Sequence, residues 1–128
     1  MPSRTFVIAA VDDDTRLLEA LRDLLESASY AVRSFGSAKS FLEDEAALRD
    51  SDCLIADIGM PVMDGLELGE IVRQARPRMP IILITARFEN ADQQRAHALG
   101  SWFFRKPVDG QTLLTAIGEA LQSEDGGK

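Results

Sequence analysis

Short apolar runs recur along the chain at 6–11, 30–34, 53–56, 81–84 and 102–104. Their length suits strands. The first, third and fourth are apolar almost throughout, as in central strands of a parallel sheet buried on both faces. Between them the spacing changes to that of amphipathic helices. Leu17, Leu18, Leu21, Leu24 and Leu25 fall on one helical face. A second helix is predicted over 37–48, with Phe41 and Leu42 inward. A third, over 65–75, turns Leu68, Ile71 and Val72 to the core. The fourth, over 90–99, is mostly alanine, with Leu99 its only large apolar residue, and Gly100 fits a left-handed C-cap. The fifth carries Leu113, Leu114, Ile117 and Leu121. Residues 123–128 are polar and expected to be a flexible tail or the start of a linker. Five strand–helix units predict an α/β fold, an open sheet with helices on both faces and right-handed crossovers.

In such sheets ligands bind beyond the carboxyl ends of the strands. The first strand runs into Asp12 and Asp13, the third ends at Asp57, the fourth ends at Thr85, and Lys106 follows the fifth. The fold should gather these polar residues at one edge. The three carboxylates and the lysine sum to −2. Two carboxylates 4 Å apart repel by about 4 kcal/mol at an effective dielectric near 20. A divalent cation would cancel that charge, and carboxylate oxygens without nearby His or Cys favour Mg²⁺ over Zn²⁺. A carboxylate, a lysine, a hydroxyl and Mg²⁺ together are equipment for phosphoryl transfer, with a carboxylate able to act as nucleophile.

The neighbouring residues have plainer readings. Asp14 best caps the first helix, with a third metal ligand as the alternative. From the residues alone two registers are open for a metal-holding pair, Asp12 with Asp13 or Asp13 with Asp14. Asp64, before Gly65, reads as a turn and helix cap. His97 reads as solvated or partner-facing. Trp102 and Phe104 divide evenly between sheet packing and an interaction face.

Composition narrows the function. With 128 residues, 45% hydrophobic and 27% charged, the chain is one globular domain. Its net charge of −7 argues against nucleic-acid binding by this chain and against an anionic membrane surface. The single cysteine, Cys53, makes no intrachain disulfide and is expected to pack as a small apolar residue in a reducing compartment. No apolar run is long enough for a signal peptide or a membrane span, so the expected location is the cytoplasm.

The pieces "AVDDDT", "LIADIGMPVMDG", "ILITA" and "FFRKP", in that order, closely resemble receiver domains of bacterial two-component response regulators, especially the FixJ-like kind. The resemblance covers about residues 5–122. It implies one receiver domain over 1–128 with a flavodoxin-like doubly wound fold and strand order 2-1-3-4-5. It further implies that Asp57 is the phosphoacceptor, and that Asp12, Asp13, Asp57 and the backbone carbonyl of Gly59 hold Mg²⁺, with Mn²⁺ as a substitute. Asp13 would be the more direct ligand of the pair, which in this family directly follows the last aliphatic residue of the strand, here Val11. Thr85 would be the switch hydroxyl, Phe103 the switch aromatic and Lys106 the charge-stabilising lysine. Lys106–Pro107 would match a peptide bond often cis in the family, and Ala86 the small residue beside the phosphate.

The function implied is a signalling switch, a phosphoacceptor domain that assists only its own phosphorylation and dephosphorylation. A sensor histidine kinase supplies the phosphoryl group. Thr85 moves inward, Phe103 follows, and the face of the fourth helix, fifth strand and fifth helix changes its binding preference to control an output domain or partner. A homodimer through the fourth-helix and fifth-strand face, and a DNA-binding output domain outside this chain, are further expectations from the resemblance. Gly59, Arg87 and Val108 depart from the commoner family pattern, and none removes a group the chemistry needs. Two other readings compete. A haloacid-dehalogenase-type phosphatase would use Asp12 and Asp14, but its motif would need a different residue at Arg16. A degenerate receiver that only binds partners would not require the full set of Asp12, Asp13, Asp57, Thr85 and Lys106.

Overall fold

The computed structural model describes residues 4–87 and 89–126, and in it the apolar runs become five parallel strands. These are β1 (Val7–Val11), β2 (Ala31–Phe35), β3 (Cys53–Asp57), β4 (Ile81–Thr85) and β5 (Trp102–Arg105). Their order in the sheet is β2-β1-β3-β4-β5, the doubly wound order expected. Every residue of β3 and β4 is buried, whereas β2 and β5 at the edges are partly exposed. Continuous apolarity therefore marks the strands covered on both faces. β2 begins at Ala31, one residue later than its apolar run, since Tyr30 N–H donates to the Leu25 carbonyl and still belongs to the preceding helix end.

The sheet separates two cores. Alternate residues of β1 divide between them. Ala9 and Val11 join Leu54, Ala56, Ile81 and Leu83 on one side, and Ile8 and Ala10 join Cys53, Ile55, Ile82 and Ile84 on the other. Such alternation is the period of two of a strand. Cys53 is fully buried, as its reading as a small apolar residue requires.

The helices are α1 (Thr15–Ser27), α2 (Ala38–Glu43), α3 (Glu45–Asp50), α4 (Gly65–Ala75), α5 (Asn90–Leu99) and α6 (Gly110–Gly126). The second predicted helix is thus two. Asp44 breaks it, ending α2 in extended geometry and capping α3 through its carboxylate, which accepts the Ala47 N–H at 2.9 Å. A short acidic side chain competes with helix continuation in this way. Arg76 closes the far end of α3, its Nη1 donating to the carbonyls of Leu48, Arg49 and Ser51.

Ile71 also departs from expectation. It is 42% exposed, and α4 buries Leu66, Leu68 and Val72 together with Gly65 and Gly69. Gly69 takes the inward place because Leu99 comes so close that a Cβ there would lie 3.0 Å from its Cδ1. α5 buries only Asp92 and Ala96 and ends at Gly100 with φ 71°, the left-handed cap expected. Arg73 fastens this end, donating to the carbonyls of Leu99, Pro77 and Met79. α6 runs to Gly126, into the stretch expected as a tail; residues 127–128 of that stretch lie outside the described ones. Among the described residues no helix is long and apolar enough to cross a membrane.

Candidate functional site

At the carboxyl end of β1, Asp12 is 1% exposed. Its backbone N–H donates to the Phe35 carbonyl at 3.0 Å, which extends the β1–β2 ladder by one bond and fixes where the carboxylate emerges. The Asp12 Oδ1 accepts the Asp14 N–H at 2.9 Å. Asp14 itself caps α1, accepting the N–H groups of Arg16 and Leu17. Asp13 is exposed. Carboxylate oxygens of Asp12, Asp13 and Asp57 lie within 4.8 Å of one another. Three hard oxygen donors from two adjacent strand ends fit a divalent cation that retains waters.

Asp57 is the last residue of the central strand, and 6% exposed. Gly59 N–H donates to its Oδ1 at 3.2 Å. The loop beyond it turns back sharply. Met63 N–H donates to the Pro61 carbonyl at 2.8 Å, closing a γ-turn around Val62, whose φ is 70° and whose side chain is fully exposed. A β-branched residue at positive φ is strained by roughly 1–3 kcal/mol. Asp64 then starts α4 with a reciprocal capping box with Glu67, the cap its sequence position predicts. Gly65 returns onto the Asp57 peptide, where a Cβ would stand 2.4 Å from the Asp57 carbonyl oxygen. The sequence offered "MDG" as part of a motif; the physical need for glycine is this contact.

Lys106 closes the cluster from the end of β5. Its Nζ lies 3.2 Å from Asp12 Oδ2 and 3.5 Å from Asp57 Oδ1. Its backbone N–H donates to the Thr85 carbonyl at 2.7 Å, and the Lys106–Pro107 bond is cis. Thr85 is fully buried, and its Oγ1 accepts the Arg87 N–H at 3.0 Å. A cleft of about 470 Å³ opens over Asp57, bounded by Gly59, Thr85, Ala86, Arg87 and Lys106.

The charges of this cluster act on each other. Burial holds Asp12 above the usual carboxylate range, and the Asp57 charge adds to it, outweighing the Asp14 N–H and the Lys106 ammonium. Burial alone would lower Lys106, but Asp12 and Asp57 together raise it. Folding therefore takes up a proton at Asp12 between its ordinary and its raised pKa, and stability falls as pH rises through that window. Asp12→Asn removes a charge the fold disfavours. We expect its thermal midpoint near pH 7 with a chelator present to be higher than that of the wild type, and its stabilisation by added Mg²⁺ to be lost. A lower midpoint in chelator would contradict this balance. In the wild type, Mg²⁺ affinity should weaken as pH falls through the raised Asp12 pKa.

Phe103 packs against the first core, while Trp102 and Phe104 pack against the second. Both flanking aromatics thus take part in sheet packing and stay partly exposed on the edge strand. His97 is exposed on α5. Residues 8–118 match the model of the response regulator receiver domain.

The chain belongs to this family.

The receiver is 37% identical to the response regulator protein TmoT of Ectopseudomonas mendocina, over 95% of this chain and 56% of that protein. It is 31% identical to the transcriptional regulatory protein FixJ of Bradyrhizobium diazoefficiens, over 92% of this chain and 58% of that protein. The chain therefore spans little more than half the length of these relatives. A crystal structure of a CheY-like receiver domain protein from Methanospirillum hungatei superposes with a TM-score of 0.88 at 28% identity, covering 98% of this chain and all of that one. The chain is thus a signalling domain of the two-component kind. The phosphatase reading falls with this assignment.

Proposed function

We propose that this receiver accepts a phosphoryl group on Asp57 from a sensor histidine kinase in the cytoplasm, and that the acyl phosphate switches its α5–β5–α6 face. One observation carries the reading: Asp12, Asp13, Asp57, Thr85 and Lys106, from four different strand ends, converge beside one open cleft. A structural ion pair would need neither the third carboxylate nor the cleft.

In the step proposed, a carboxylate oxygen of Asp57 attacks the phosphorus of a phosphohistidine in line. A P–O bond forms, the P–N bond breaks, and the histidine nitrogen leaves with the bonding electrons. Asp12, Asp13, Asp57 and the Gly59 carbonyl would hold Mg²⁺, which when bound neutralises charge on the transferring group. Lys106, already set between Asp12 and Asp57, balances the charge that accumulates on the phosphoryl oxygens. The buried Thr85 hydroxyl donates to one of those oxygens, and its movement makes room for Phe103. Few buried side chains hold α5, so it can answer at low cost. This is a population shift between two packings rather than catalysis of an outside substrate. The regulators named above are longer than this chain. This supports a DNA-binding output domain elsewhere in the full protein, with pairing of two receivers through the α5–β5 face as a means of control.

Incubation of the folded chain with Mg²⁺ and acetyl phosphate should produce one phosphoryl adduct by intact mass, and a chelator should prevent it. A folded, Mg²⁺-binding chain that gains no adduct would instead be a receiver that only binds partners.

A further inference from the structure

Arg87 borders the cleft, and the mechanism above gives its side chain no task. Its backbone is tied to the site, since its N–H donates to Thr85 Oγ1. Its guanidinium stands 3.7 Å from Glu89 Oε2 and 3.8 Å from Asp92 Oδ2. Both separations exceed hydrogen-bond length, so the pairs are electrostatic and loose. The Glu89 pair is also largely solvent-exposed, which weakens it further. Asp92 is buried, and its Oδ2 has no hydrogen-bond partner among the described residues. Across the cleft, Gly59 offers no side chain. A Cβ there would lie 3.8 and 3.9 Å from the two Asp57 carboxylate oxygens, so that side of Asp57 is open.

We propose that Arg87 is a second cationic ligand of the phosphoryl group on Asp57, held in reserve by Glu89 and Asp92 until that group arrives. The proposal rests on the phosphoacceptor reading. A phosphoryl group brings close to two negative charges and three strong acceptors. A guanidinium meets such a group with a planar fork of donors, each bond shorter and stronger than a neutral one. Its present partners among the described residues offer it charge without directional bonds, so the exchange trades water for charge-assisted hydrogen bonds and breaks no side-chain hydrogen bond to them. Lys106 cannot take this place alone, because it is a point charge already shared between Asp12 and Asp57.

The test is beryllofluoride binding to the whole chain in saturating Mg²⁺, followed by calorimetry. Arg87→Ala should weaken binding about tenfold, the value of one charge-assisted contact less its lost pairs. Arg87→Lys should restore part of it, since it keeps charge and loses the fork. Asp92→Asn should tighten binding by removing a competitor, and should have no effect in the Arg87→Ala background. A merely structural role for Arg87 would not produce that dependence. Binding by Arg87→Ala as tight as wild type, or an Asp92→Asn effect that persists without Arg87, would overturn the proposal while leaving the phosphoacceptor reading intact. A wild type that binds no beryllofluoride would overturn both.

Discussion

Asp57→Asn should take up no phosphoryl group under conditions where the wild type is modified, because it removes the proposed nucleophile and little else. The amide keeps an oxygen that can accept the Gly59 N–H, now 3.2 Å from Oδ1. It loses the negative oxygen proposed to attack phosphorus, and an amide nitrogen does not replace it. The fold should survive, since one charge leaves a cluster that carries a net −2 and repels itself. Intact mass before and after acetyl phosphate treatment reads the result directly, and circular dichroism checks the fold. An adduct of undiminished yield in the folded variant would place the acceptor at another residue, with exposed Asp13 the first to examine.

Gly65→Ala should destabilise the receiver by about 3 kcal/mol, the upper part of the overpacking range, which lowers the thermal midpoint by about 10 °C for a domain of this size. Propensity alone predicts the reverse, since alanine in place of glycine within a helix stabilises by about 1 kcal/mol. The contact decides the sign. The new Cβ would lie 2.4 Å from the Asp57 carbonyl oxygen, 2.8 Å from its carbonyl carbon and 3.0 Å from the Ile58 Cα. All three are backbone atoms, so no side chain can swing aside. Either α4 shifts or the end of β3 does, and the second moves Asp57 away from Lys106. Thermal unfolding measures the first effect, and the phosphorylation rate at a temperature where the variant is folded measures the second. A midpoint equal to or above the wild type would contradict the close approach.

The strand ends were legible in the sequence because two different patterns meet there. A run such as "CLIAD" is apolar until its last residue, and a lone carboxylate after four buried side chains has nowhere to go but the rim. Caps were legible for a similar reason, since Asp14 and Asp64 stand where a helical stripe begins. What hydropathy did not encode was competition and contact. Asp44 interrupts a continuous helical stripe because its carboxylate satisfies the next helix better than continuation would. Ile71 sits at the margin of a stripe whose true centre is two glycines, and hydropathy gives glycine little weight. Gly65 touches a residue eight positions earlier, a distance that only the folded loop reveals. The acidic neighbours of Arg87 look like a solvated charge run until the chain turns at the end of β4.

Arg73 and Gly69 have a mechanical consequence. Both act on the carboxyl end of α5, one by binding the Leu99 carbonyl and the other by admitting its side chain. The amino end has no side-chain cap bond from Glu89, and among the described residues the buried Asp92 Oδ2 there has no hydrogen-bond partner. The helix is therefore a lever with its fulcrum at its carboxyl end and its free arm at the amino end, which follows the Thr85 end of β4. A displacement that starts at the carboxyl end of β4 would meet the arm where the fewest side-chain bonds resist it.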